Sequence, residues 1–561
     1  MYLHSNKFAR IQFFKNSFRI YFENFTRRNF TKTHLKSSSR WKSKYIITGG
    51  LVSIPLLYYH FLLTSVQKRN VRTSIEGFTR FCRSLKIGMM ISLDYKWSLF
   101  GLVKESEEYI KTIKLCHKRG AENILVGCLK NGGLYIKLGQ SLVTLNHILP
   151  IEYTETLSVL HNKALERKPD ELQELFIEEF GKPPEEIFSE FDIHPIAAAS
   201  LAQVYRAITF NGEEVAVKAQ YIDLHKRFDG DCNTINILLK IIGVIHPDFD
   251  FTWAFNLLNE NLRQELDFIN EGKNMERCAL ELSHLPFVHV PKVYWNLSTK
   301  RILTAEYING VKLDNQKAIK NLGLQLADVD EKLVLTFAEQ IFHTGFVHAD
   351  PHPGNIYIRK DKKTGKAEIV LLDHGLYEYL PEEIRLSLCK LWKSIILNDH
   401  VGMKKHCEEL GVKDYYLFCE ILMQRPLDRS GFHIPNNLSS EDMQYMKKMA
   451  KEKFDKIMCA IRSLPSSMLL VFRNINTIRS INKLHGHPID RYTLMARKAT
   501  SGVFKSSKSG LTKEFAKWWE QLRFNFKLRC ESIKMNFFIL YLRILAFINN
   551  SDANEVIGLL L

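Results

Sequence analysis

No pair of the ten cysteines forms a CxxC, and none sits in a tight cluster with histidine. A disulfide framework and a structural zinc site therefore have little support. Acid is almost missing from the first 44 residues, where eleven Lys and Arg face Glu23 alone. Charge of either sign is missing from Tyr45 to Leu63, a run of nineteen residues. Internal repeats and long low-complexity tracts are also missing.

What is present fits a large folded protein. The chain has 561 residues, 45% hydrophobic and 25% charged. That length predicts two or three domains, or one large two-lobed unit. The net charge of +17 invites a nucleic-acid reading, but more than half of it belongs to the N-terminus. Without residues 1–44, 67 basic residues face 60 acidic ones, a balance of +7. A nucleic-acid footprint belongs on the folded domain, so no nucleic-acid partner is expected.

Residues 1–44 are rich in Arg, Lys, Ser and Phe, the pattern of a mitochondrial transit peptide. Arg28-Asn29-Phe30 resembles a matrix-processing signal. The run 45–63 would span about 28 Å as a helix, close to the roughly 30 Å hydrocarbon core. Lys42, Lys44, Lys68 and Arg69 flank it, and Tyr45, Tyr58 and Tyr59 suit the interfaces. A disordered basic tail and a buried core helix are the alternatives. An address followed by one transmembrane helix predicts arrest in the mitochondrial inner membrane. The bulk of the chain would then face the intermembrane space.

Residues 64–184 read as helical. Pro150 interrupts one helical pattern, and Asp170 to Phe180 forms another, stopped by Gly181 and Pro183. From 185 the pattern changes. SLAQVYRAITF, Asn211-Gly212 and EEVAVKAQ predict a β-hairpin whose turn needs positive φ at both central residues. Helices follow over about 222–281, then short strands near 301–307, 355–359 and 367–373. Beyond 380 the chain reads as helical. A mixed lobe (185–310) and a helical lobe (311–561), joined by the connector LTAEYING (303–310), suit a nucleotide cleft.

The cleft needs groups that position phosphates, hold magnesium and receive a proton. Val215-Ala216-Val217-Lys218 places Ala216 and Lys218 on one strand face. Lys218 is expected to pair with Glu265 and to orient the phosphates. His348-Ala349-Asp350-Pro351-His352-Pro353-Gly354-Asn355 fits H-x-D-x-x-x-x-N. Asp350 is then the catalytic-loop carboxylate and Asn355 a magnesium ligand. The strand 368–372 leads to Asp373, the second magnesium ligand, followed by His374 and Gly375. Glu306 and Ile308 in the connector are expected nucleotide contacts. The rival is a metal hydrolase using His348, Asp350, His352, Asp373 and His374. It leaves Lys218, Asn355 and the two-lobe layout without a role.

A glycine-rich phosphate loop is also lacking. Pro195-Ile196-Ala197-Ala198-Ala199-Ser200 stands where a protein kinase has one, and a Cβ at each position limits close backbone approach. Together these features resemble the UbiB/ADCK (ABC-one) atypical kinase-like family over about residues 120–400. The motifs that carry the resemblance are Lys137-Leu138-Gly139-Gln140 (KxGQ), the alanine loop 197–200, VAVKAQ (215–220), Glu265-Leu266-Asp267 (ExD) with Glu271, and HADPHPGN (348–355).

The resemblance implies further roles. The KxGQ segment, through Lys137, Gly139 and Gln140, would lie over the cleft and restrain protein phosphorylation in trans. Asp267 would share that regulatory role. Ala197, Ala198, Ala199 and Ser200 would replace the phosphate loop, and Glu271 would lie near the nucleotide. The cofactors would be ATP or ADP with Mg²⁺. The activity would be ATPase chemistry linked to coenzyme Q, its precursors or other mitochondrial membrane lipids. Asp373-His374-Gly375 resembles the branch tied to lipid homeostasis and coenzyme Q distribution. His374 would replace a packing aromatic. The expected fold is α+β: a two-lobed protein-kinase-like unit with an added N-terminal helical region, preceded by one transmembrane helix. A nucleotide-binding pseudokinase scaffold and a true protein or small-molecule kinase are the alternatives. The apolar segment 537–548 contains Arg543 and is too short to span a membrane. It docks on the helical lobe or touches a membrane surface.

Overall fold

The computed structural model describes residues 63–504 except 104–105, 145–148, 163–169, 199–200, 247–251, 428–439, 454–455, 458–459 and 461–462, and parts of 515–540. The transit-peptide segment and the apolar run up to residue 62 lie outside the described residues. Among the described residues, no helix is long and apolar enough to cross a membrane. The chain divides into compact units Met1–Glu76 and Gly77–Leu561. The described part of the first is helical from Ser65 and carries an Arg72–Glu76 pair at 3.3 Å.

In chain order the first helices are α1 (Ser65–Ser98), α2 (Glu107–Asn131), α3 (Leu134–Thr144), α4 (Ile151–Leu157) and α5 (Glu171–Phe180). Ser106 caps α2 by accepting the Tyr109 N–H. Pro150 opens α4, and Gly181 closes α5 in the left-handed region at φ 75°. These ends follow the stop signals in the sequence. Pro184–Glu186 forms only a 3₁₀ turn.

The mixed lobe is built on an antiparallel sheet. Its strands are β1 (Glu190–Phe191), β2 (Ala197–Ala198), β3 (Ala202–Ile208), β4 (Glu214–Gln220) and β6 (Ile302–Glu306). The order is β1-β3-β4-β6, with β2 also on β3. The β3–β4 hairpin forms as expected, but its turn differs. Gly212 alone has positive φ, at 80°. The Gly212 N–H donates to Thr209 O, and the Thr209 N–H donates to Glu213 O. One left-handed glycine after an ordinary turn closes this longer loop, so Asn211 keeps negative φ.

Alternation along β4 divides the sheet into two faces. Val215, Val217 and Ala219 pack with Leu175 and Phe176 of α5 and with Phe188. Lys218 points to the other face. There α6 (Leu224–Ile245), α7 (Thr252–Glu265) and α8 (Phe268–Glu281) gather. Phe268 and Met275 of α8 pack with Ala202 and Leu303 of the sheet. Leu134 and Leu138 of α3 pack with Phe228, Leu262 and Leu266 from α6, α7 and the residue after it. This packing carries the KxGQ segment to the cleft.

The helical lobe holds α9 (Gln316–Asn321), α10 (Leu326–Glu339), α11 (Glu382–Ile396), α12 (His400–Glu409), α13 (Tyr415–Met423), α14 (Ser440–Glu452), α15 (Ser466–Leu484) and α16 (Arg491–Gly502). Its sheet has the order β5 (Val288–His289), β10 (Ala367–Leu371), β9 (Ile356–Lys360) and β7 (Val311–Lys312). A short pair, β11 (Tyr377–Tyr379) on β8 (Phe346–His348), frames the cleft. Phe337, Phe342, Trp392, Ile475 and Ile478 belong to one continuous core. That core fixes α15 behind the loop that follows β8.

Candidate active site

The Lys218 ammonium lies 2.7 and 2.9 Å from the two Glu271 oxygens and 3.6 Å from Asp373. This corrects the expected pairing with Glu265. Glu265 instead holds Lys137 at 2.6 Å. Helix geometry explains the exchange. Asp267 caps α8, its Oδ1 accepting the Ile269 and Asn270 N–H groups at 3.0 and 3.3 Å. The Glu271 N–H donates to Asp267 O, so Glu271 stands one turn further along. That turn aims Glu271 at β4, whereas Glu265 ends α7 beside Gly375.

The electrostatics follow from this placement. Burial opposes the Lys218 charge, but Asp373 and Glu271 more than offset it and hold the ammonium above its ordinary range. Burial pushes the 2%-exposed Glu271 carboxyl up to about 7, against the pull of Lys218. Burial also opposes the Asp373 charge. Lys218 and the Gly375 N–H, donated at 3.1 Å, outweigh it and hold Asp373 below the usual carboxylate range. Lys137 is held above its ordinary value: burial opposes it, while Glu265 and Asp350 favour the charge.

Two loops are stapled together by His348. Its Nε2 donates to Asp373 O at 2.5 Å, and its Nδ1 accepts the Asp350 N–H at 3.1 Å. Burial lowers its pKa, in keeping with this neutral tautomer. Asn355 is tied to the same frame, because its carbonyl accepts the Leu372 N–H one residue before Asp373. Asp373 and the partly exposed Asn355 therefore sit on adjoining segments of one frame. Magnesium takes one or two protein oxygens beside phosphate oxygens and water, and this pair fits that need.

The metal-hydrolase alternative fails on geometry. His374 is fully buried, its Nε2 donating to Leu371 O at 3.0 Å and its Nδ1 accepting from the Tyr377 hydroxyl at 2.9 Å. Burial drives its pKa down to about 3. His374 stacks on Tyr377 with an interplanar angle of 6°, as a packing ring would. The His352 Nδ1 accepts the Gly354 N–H. Among the described residues, no three His, Cys, Asp or Glu are grouped to hold a metal ion.

Other expected residues have different roles. Gln140 does not face the cleft, because its amide donates to Leu160 O at 3.0 Å. Gly139 lets α3 press on the same residue: an added Cβ would lie 2.3 Å from Leu160 Cδ1. Asp267 is a helix cap. The Glu306 carboxylate accepts from His289 Nε2 at 2.9 Å and from the Lys292 N–H at 3.3 Å, so it is already engaged by the segment that follows α8. Ile308 is buried. Ala197 and Ala198 are exposed on the edge strand β2, while Ala199 and Ser200 lie outside the described residues.

One contact had no signal in the sequence. Arg473 of α15 approaches Asp350 with Nη2 to Oδ1 at 3.0 Å. Its neighbour Asn474 donates to His348 O at 2.6 Å. Both sit in an ordinary amphipathic helix far along the chain, where no local pattern marks them.

The ABC1 atypical kinase-like domain matches residues 159–407. The probable serine/threonine-protein kinase abkD of Dictyostelium discoideum is 41% identical over 465 residues, covering 83% of this chain and 66% of that one. The AarF domain-containing protein kinase 1 of Mus musculus is 38% identical over 413 residues, covering 73% of this chain and 78% of its own length. A solved Mycobacterium tuberculosis protein, Rv3197 in complex with erythromycin, is 20% identical with a TM-score of 0.42, covering 68% of this chain and 95% of that one. With its kinase-like fold and its linked motifs, this chain belongs to the ABC1 (UbiB/ADCK) atypical kinase-like family.

Proposed function

We propose that the chain is a magnesium-dependent ATPase of the mitochondrial inner membrane, acting in lipid homeostasis or coenzyme Q distribution. The observation that carries the chemistry is Lys218, held between Glu271 and Asp373. Lys218 binds the nucleotide phosphates, and Asp373 with Asn355 holds the metal. Magnesium, when bound, neutralises charge on the phosphate oxygens. Asp350 orients the attacking water and receives its proton as the new P–O bond forms. The bond between the γ-phosphorus and the bridging oxygen breaks, and ADP leaves with that electron pair.

The Lys137–Glu265 pair favours water or a small acceptor over a protein acceptor. It places a helix of the N-terminal extension beside the carboxylates. The membrane setting rests on the transit-like N-terminus and the apolar run 45–63. The large domain then faces the intermembrane space, next to lipid or quinone.

The test is phosphate release by the full chain in detergent, with and without cardiolipin vesicles carrying a quinone analogue. Turnover that needs Mg²⁺, rises with vesicles and disappears in Asp373→Asn supports the reading. Nucleotide binding without turnover favours a pseudokinase scaffold. Transfer of labelled γ-phosphate to a defined acceptor favours a kinase. Protease resistance of the large domain in mitoplasts would refute the intermembrane-space placement.

A further inference from the structure

The helix α15 lies beyond residue 407, where the family match ends, yet one of its faces is set against the catalytic loop. Leu470, Arg473 and Asn474 share that face by helical spacing. Leu470 is buried against Ala349 and Leu376. Asn474, fully buried, donates to the carbonyl of His348 at 2.6 Å. Between them Arg473 places Nη2 3.0 Å from Asp350 Oδ1. Three consecutive loop residues, 348 to 350, are therefore each met by one side chain of α15.

We propose that Arg473 is a positioning residue for Asp350, so that α15 is part of the phosphoryl-transfer site. The proposal rests on the phosphoryl-transfer reading above. Arg473 and Asp350 are each 28% exposed, and an ion pair so open to water contributes little to stability. Stability is thus a poor account of the contact. Asn474 points the same way: its Oδ1 is buried without a partner among the described residues, a cost to the fold.

Geometry gives the better account. The loop 348–355 holds the Asp350 backbone through the N–H donated to His348 Nδ1, and among the described residues its carboxylate is oriented from outside the loop, by Arg473. Arg473 takes Oδ1 and leaves Oδ2 for the attacking oxygen. Both ends of α15 are anchored. Met468 is buried in the core near its start. At its end Gln316 donates to Leu484 O, and the next residue, His485, holds Asp330 at 2.6 Å. The guanidinium is therefore presented from a fixed base.

The experiment uses the full chain as wild type, Arg473→Gln, Arg473→Lys, Asp350→Ala and the double variant Arg473→Gln/Asp350→Ala. Turnover and hydrogen exchange over residues 346–356 are measured. Arg473→Gln should lower kcat about 10- to 100-fold, the scale of a misplaced catalytic group, with KM for Mg-ATP nearly unchanged. Arg473→Lys should restore most of it, because the contact is a single N–O pair. Exchange over 346–356 should quicken in Arg473→Gln and in Asp350→Ala, and no further in the double variant. Exchange over 214–220 should stay as in wild type. Unchanged or raised kcat, an effect on KM alone, or additive exchange would overturn the proposal. If the wild type shows no turnover, the phosphoryl-transfer reading fails. The Arg473 contact is then judged by exchange alone, where no change in Arg473→Gln overturns it.

Discussion

Lys218 is held by Glu271 from inside helix α8, while Glu265, at the end of α7, is taken by Lys137. These two cation–carboxylate pairs differ in origin: the kinase-like sheet supplies one lysine and the N-terminal extension the other. Asp267 stands between the two glutamates and starts the helix that separates their directions.

Glu271→Gln should weaken Mg-ATP binding about tenfold, or ~1.4 kcal/mol, since the Lys218 ammonium loses a paired carboxylate and keeps only a neutral amide acceptor. Glu265→Gln should leave nucleotide affinity nearly unchanged, because Lys218 keeps Glu271. Titration with a fluorescent ATP analogue checks both. Equal losses in the two variants would contradict the pairing.

Asp267→Ala should cost about 1 kcal/mol of stability, the value of a lost N-cap. It should also loosen nucleotide binding, because α8 carries Glu271. Asp267→Asn retains an accepting oxygen and should restore most of both. Urea unfolding and nucleotide titration on the three proteins read the result.

Gly139→Ala should destabilise the fold by about 1–3 kcal/mol through overpacking. The new Cβ meets Leu160 Cδ1 and lies 3.2 Å from Cys128 Sγ. Leu160 is fully buried and has little room to move. In Gly139→Ala/Leu160→Ala the clash is removed, so the double variant should lose less than the sum of the single variants.

His374 predicts an acid-side loss of stability. Its pKa falls from 6.5 to about 3 in the fold, so the unfolded chain binds a proton that the native one refuses. Its stabilising share is complete above 6.5 and declines as pH falls from 6.5 toward 3. Near pH 5 the slope from this group is about 1.4 kcal/mol per pH unit. His374→Phe should flatten the curve by that amount, measured as urea midpoints between pH 6.5 and 4.5. Parallel curves for the two proteins would refute the assignment.

The readable parts were those encoded locally. Alternation in Val215-Ala216-Val217-Lys218 separates core from cleft. Asn211-Gly212 marks the hairpin, although one left-handed residue closes it where two were expected. The caps and stops around Asp170 and Gly181 lie within a few residues of the ends they define. His374 read correctly as a packing ring.

The sequence by itself determined the site's inventory: Lys218, Glu271, Asp350, Asn355 and Asp373, with their order and family. Lys218, Asp350, Asn355 and Asp373 are marked by neighbours a few residues away, whereas Glu271 entered through the family resemblance and without its partner. Tertiary structure alone decided the partners. Lys137 with Glu265, Glu306 with His289 and Arg473 with Asp350 join different elements, in two cases more than a hundred residues apart. Which cation meets which carboxylate depends on how α3, α7, α8 and α15 pack, and a linear pattern carries no record of that angle. The transit-like segment and the apolar run 45–63 remain readings of composition.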